Sequence, residues 1–143
     1  MAILYYLNFF IVEQLPVLPP ETYDRPCPWA PDMTLEAWIS ERVLKLTCIS
    51  EDMLPLADAC GFTAGSFHRE YAGRLHRWDP ADRARLAAQL DAAYFLLYGI
   101  GRDDAEYMLS TFQGIHGPAP LLGDAESVAE HILRQLERLS GMA

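Results

Sequence analysis

Five of the ten arginines, Arg69, Arg74, Arg77, Arg83 and Arg85, fall between positions 69 and 85, with His68, His76 and Trp78 among them. A planar, permanently charged guanidinium beside aromatic rings is the composition of a surface that meets phosphates or bases. These five are therefore the candidate DNA contacts. Glu70, Asp79 and Asp82 reduce the cluster to a net excess of about two charges, five arginines less three acids. The competing reading is a solvated face on which the arginines pair with the protein's own acids.

Other chemistry is harder to find. Asp103, Asp104 and Glu106 crowd three acids into four residues, which could suggest metal ligation, but acids at a helix start are already explained by the partial positive charge there. The histidines His68, His76, His116 and His131 lack metal-ligand spacing, and Cys27, Cys48 and Cys60 do not complement them. Gly99-Ile100-Gly101 follows a helical pattern and lacks the third glycine of a dinucleotide loop. Gly61-Phe62-Thr63-Ala64-Gly65 puts Thr where a nucleophile elbow needs Ser. The expectation is a chain with no catalytic, cofactor-binding or metal residue of its own.

The elements that must position the arginines are mainly helical. The apolar, aromatic and β-branched run at Tyr6–Val12 reads as a strand without a hairpin partner, ended by Pro16. Six of the ten prolines lie between positions 16 and 33, together with Cys27 and Trp29. That stretch reads as an extended connector pinned by its aromatics, and as the internal boundary between residues 1–33 and a helical domain over 34–143. Thr34 caps a helix to Leu46, with Leu35, Trp38, Ile39, Arg42 and Leu46 at steps of three and four. A short second helix runs from Ser50 or Asp52 to Cys60 and stops at Gly61.

The strongest pattern begins at Asp79-Pro80 and runs to Tyr98, followed by Gly99. Leu86, Leu90, Ala93, Tyr94 and Leu97 share a face that Phe95, Leu96 and Tyr98 widen, so this is the central helix, and its aromatics read as core. Asp103 and Glu106 have capping-box spacing for a helix ending near Phe112. Gln113 to Gly123 reads as a loop. A last helix, Ala125–Leu139, is capped by Asp124, carries a Glu130–Arg134 pair, and shows Val128, Ile132, Leu136 and Leu139 as one stripe.

Three stretches carry a resemblance when taken in order. They are Asn8-Phe9-Phe10-Ile11-Val12-Glu13-Gln14-Leu15-Pro16-Val17-Leu18-Pro19-Pro20, then Leu90-Asp91-Ala92-Ala93-Tyr94-Phe95-Leu96-Leu97-Tyr98-Gly99-Ile100, then Arg102-Asp103-Asp104-Ala105-Glu106-Tyr107-Met108-Leu109-Ser110-Thr111-Phe112. Together they resemble the C-terminal region of Eco57I-like, type IIG or stand-alone restriction-modification adenine-N6 DNA methyltransferases. The resemblance implies a segment that follows a target-recognition region, with catalysis far upstream in a domain bearing an Asn-Pro-Pro-Tyr/Phe motif and binding S-adenosylmethionine. Neither that motif nor the glycine-rich cofactor loop is in this chain. After Gln113 the chain departs from the family, which runs on through a basic, Tyr- and Lys-containing segment.

Bulk properties bound what remains. The chain has 143 residues, 51% of them hydrophobic and 22% charged, the composition of a globular protein. Its net charge of -9 argues against binding nucleic acid alone. Three widely spaced cysteines fit buried, reduced thiols in a cytoplasm. The run from Ala2 to Val12 is too short to span a bilayer and lacks the features of a signal peptide.

The expected fold is a mainly α bundle of about five helices with a short N-terminal strand and a Pro-rich connector. The expected role is a non-catalytic C-terminal fragment that meets DNA through its parent enzyme and packs on upstream methyltransferase and target-recognition domains. The alternative is a stand-alone helical interaction module or homodimer.

Overall fold

A computed structural model describes residues 13–60 and 76–141. The strand expected at Tyr6–Val12 lies outside them, as does Gly61. Among the described residues five α-helices dominate: α1 (Leu35–Thr47), α2 (Leu54–Ala59), α3 (Pro80–Leu97), α4 (Arg102–Ser110) and α5 (Val128–Ser140). Two short antiparallel ladders accompany them. β1 (Pro26–Cys27) pairs with β2 (Ala30–Thr34), and β3 (Pro118–Ala119) pairs with β4 (Gly123–Ser127), each with an irregular register. The fold is mainly α, as the sequence implies.

The proline-rich stretch has a definite job at the start of α1. Thr34 Oγ1 accepts from the Ala37 N–H at 3.2 Å, while the Leu35 and Glu36 N–H groups donate to the carbonyls of Arg25 and Tyr23, each at 2.9 Å. Donors that a helix start leaves orphaned are thus satisfied by the chain leading into it. Cys27 and Trp29 are buried in the same core cluster as Leu35, Trp38 and Ile39 of α1. Trp29 meets Trp38 edge-on, with ring centroids 5.2 Å apart.

Helix α3 forms where the sequence places it. The Asp79 carboxylate accepts from the Asp82 N–H at 2.8 Å, Pro80 fills the first position, and Gly99 exits at φ +70°. α3 packs chiefly against α5 and also against α1. The deepest side chains on α3 are Leu86, Ala88, Gln89, Ala92 and Ala93, whereas Tyr94, Phe95, Leu96 and Leu97 are half-buried and Tyr98 is exposed. Small residues let α5 come close, and that approach leaves the larger aromatics at the margin. The aromatics therefore pack against the core without filling it.

Several local details differ from the sequence reading. α5 starts at Val128, with a capping box in which Ser127 Oγ accepts from the Glu130 N–H and Glu130 Oε2 accepts from the Ser127 N–H. The residues before it, read as the first helical turn, form β4, whose pairing with β3 takes up part of the expected loop. Arg134 pairs with Glu126 instead of Glu130, because Glu130 is committed to the cap. α4 begins after Gly101 with no side-chain cap; Glu106 bonds Arg102 at 2.7 Å and not the backbone at Asp103. Cys27 and Cys48 are buried, but Cys60 is exposed at the end of α2. A satellite cluster of Leu44, Cys48, Ala57 and Met53 holds α1 against α2.

Candidate functional surfaces

Of the five arginines singled out in the sequence, Arg69 and Arg74 lie outside the described residues. The other three sit at the entry to α3. The chain arrives there through a bond from the His76 N–H to the Cys48 carbonyl at 2.8 Å, at the end of α1. Asp82, in the first turn of α3, takes His76 Nε2 at 2.9 Å on one carboxylate oxygen and Arg85 on the other. Burial pushes the Asp82 pKa up, but the hydrogen bonds from Arg85 and His76 outweigh it and hold the group below its ordinary value. Arg83 donates to the Leu46 carbonyl at 2.7 Å, satisfying an orphan acceptor at the end of α1, and its guanidinium lies 4.1 Å from the Trp78 ring centroid. Arg83 and Arg85 are thus engaged by the protein itself. Arg77 is exposed and makes no ion pair among the described residues.

Arg85 also reaches inward, to a polar layer between α1, α3 and α5. Gln89 Oε1 accepts from Arg42 Nε at 3.0 Å and from Arg85 Nη1 at 3.4 Å. Arg42 donates in addition to the Trp38 carbonyl at 2.8 Å and lies 3.4 Å from the centroid of the Trp38 ring. Burial pulls the Arg42 pKa down to about 10, with Glu41 opposing and Arg85 adding to the fall. From α5, His131 Nδ1 lies 3.4 Å from Glu126, and burial, then Arg85, holds its pKa below the usual value. Gln135 Oε1 is buried without a hydrogen-bond partner among the described residues. Sequence reasoning placed Arg42 on an apolar stripe and no more. A charge at a stripe position is the signal for such a layer, but its partner at position 89 is not readable from spacing.

The opposite end of α3 is different in kind. Asp91 and Tyr94 of α3, Tyr98 just past its end, Met108 and Phe112 in and after α4, and Val128 of α5 wall an open groove of about 450 Å³. Its lining is almost wholly apolar; Asp91 is the one charged side chain among the described residues there. Asp91 is exposed to solvent, and partial desolvation by its neighbours raises its pKa. The two tyrosines are tethered by their hydroxyls: Tyr98 Oη donates to the Pro16 carbonyl at 2.8 Å, and Tyr94 Oη lies 3.4 Å from Tyr23 Oη. Burial and the Tyr23 bond push the Tyr94 pKa up to about 12.

Among the described residues no group of His, Cys, Asp or Glu is placed to hold a metal ion, and no helix is long and apolar enough to cross a membrane. No protein-family model, curated protein or solved structure matches the chain.

Proposed function

We propose that this chain is the non-catalytic C-terminal part of a cytoplasmic restriction-modification adenine-N6 DNA methyltransferase, or of a methylase-nuclease fusion, and that it supports target-DNA recognition mechanically. One observation carries the reading beyond the resemblance itself. The three separated stretches that resemble the family converge: Pro16 from the first is bonded by Tyr98 of the second, and Tyr94 and Tyr98 share a groove with Met108 and Phe112 of the third. Residues matched in sequence and gathered at one place are what a shared packing unit requires.

In this reading the S-adenosylmethionine site and the catalytic motif belong to the upstream domains. Of the three described candidates Arg77 is the one whose charge is open to a phosphate, while Arg83 ties α3 to the end of α1 and Arg85 pairs with Asp82 and Gln89 on α3 itself. The acidic chain meets DNA within the parent enzyme and not by itself.

The decisive experiment is to sequence the source DNA upstream of the codon for Met1. An open frame encoding an Asn-Pro-Pro-Tyr/Phe motif supports the proposal. A stop codon and ribosome-binding site just upstream, with no methyltransferase gene beside them, defeats it. A second reading, a separately made helical interaction module or homodimer, draws its support from the groove, whose rim exposes Tyr98, Met108 and Phe112.

A further inference from the structure

Polar end and apolar end of α3 share one helix, yet the described residues leave the apolar end open. Phe112 is 58% exposed and Met108 and Tyr98 are each 42% exposed, and they lie together on the rim of one groove. Contiguous exposed aromatic and thioether surface in a concave site marks a place where another molecule packs. The groove is walled by helices α3, α4 and α5, the setting in which an amphipathic helix lays its apolar face.

The charges say which helix fits. Asp91 stands in the wall, exposed and with no hydrogen bond or ion pair among the described residues, and Asp104, one turn before Met108 on the same face of α4, is exposed as well. No Lys, Arg or His lines the groove among the described residues. The whole chain carries -9, a field that draws in cations and repels acids.

We propose that this groove is the docking site for a basic amphipathic helix of another protein, its apolar face entering between Tyr98, Met108 and Phe112 and a Lys or Arg meeting Asp91. The cation gives the exposed Asp91 carboxylate an ion-pair partner at the groove wall. Steering by net charge speeds encounter, and the aromatic anchors hold the bound state. The inference stands whether or not the chain continues a methyltransferase.

The test uses the full chain and a labelled synthetic helix of about 15 residues, with Leu and Phe at helical spacing and Lys flanking them, beside a version with Glu for each Lys. Fluorescence anisotropy should show saturable binding of the Lys helix that weakens with salt, and little binding of the Glu helix. Asp91→Asn should weaken the Lys helix about fivefold. Phe112→Ser should weaken it tenfold or more, to about the extent expected of a central anchor. Circular dichroism checks folding, and Met108→Ser replaces Phe112→Ser if that variant unfolds. The proposal is overturned if the Glu helix binds within about twofold of the Lys helix, if Asp91→Asn leaves that preference unchanged, or if neither rim variant weakens binding. Sedimentation showing that the groove is buried between two copies of the chain overturns it as well.

Discussion

The two ends of α3 use opposite residue types in opposite ways. At its N-terminal half the charged side chains find partners within the protein: Arg85 joins Asp82 and Gln89, Arg83 closes the end of α1, and Arg42 of α1 shares Gln89. At its C-terminal half the large apolar side chains turn outward, with Tyr98 exposed and Tyr94 and Phe95 half-buried around an open groove. Charge in a sequence is therefore a poor guide to a binding surface when each cation has an acceptor within reach. Apolar bulk is an equally poor guide to the core when alanines take the closest helix contact, as Ala92 and Ala93 do here.

The comparison implies an order of stability effects along one helix. Leu86 is 1% exposed in the engaged half, so Leu86→Ala removes buried methyl groups and leaves a cavity, at a cost of about 2–5 kcal/mol. For a chain of this size each 1 kcal/mol moves the thermal midpoint by about 2–4 °C. A loss under about 1 kcal/mol in denaturant titration would mean that α3 is not the centre of the fold.

Gln89→Leu comes next. It keeps volume but takes away the acceptor shared by Arg42 and Arg85, leaving a buried guanidinium short of a partner, for about 1–3 kcal/mol. The double variant with Arg42→Met should recover much of that loss, since no charge is then stranded. If Gln89→Leu is neutral, the polar layer is incidental and the contrast between the two ends collapses.

How far these features were legible differs by element, for a physical reason. α3 could be read almost to the residue, because Asp79, Pro80 and Gly99 act locally and each punctuates the chain through its own backbone chemistry. The start of α5 is not legible in the same way, although Ser127 and Glu130 stand at capping-box spacing, because Asp124 offers an equally good cap in the sequence and the β3–β4 ladder that decides between them is set by pairing. The Asp103–Glu106 box failed for a similar reason: Arg102 and its second partner Glu137 on α5 claim that corner. At the arginine edge the residue types were legible and their partners were not. Leu46 O and Gln89 lie on other elements or other faces, and a sequence does not say which cation finds them.

The polar end should also respond to pH. His131 has a folded pKa below its unfolded value near 6.5, with burial the larger cause and Arg85 the second. The folded state then binds fewer protons, so stability is full above about pH 6.5 and declines as pH falls toward the folded pKa. Asp82, held low, adds a separate loss at more acid pH, below its ordinary value of 3.8. Glu126 lies against His131 and is itself paired with Arg134. Thermal melts of His131→Gln should show a flatter profile between pH 6.5 and 5 than the parent. An unchanged slope would place the pH sensitivity elsewhere.

The smallest effect belongs to the far end of the helix. Tyr98→Phe removes one hydrogen bond, from the hydroxyl to the Pro16 carbonyl at 2.8 Å, at an exposed position where water can replace both partners. The expected cost is at most about 0.5–1 kcal/mol, below that of Gln89→Leu. Its clearer signature is local. The tether joins positions 82 residues apart, so its loss should raise the rate of proteolytic cleavage in the stretch around Pro16 while the global melt barely moves. If instead Tyr98→Phe destabilises the chain as much as Gln89→Leu, the groove end is coupled to the core as tightly as the polar end. The half-exposed aromatics would then be structural members of the fold and not an open face awaiting a partner.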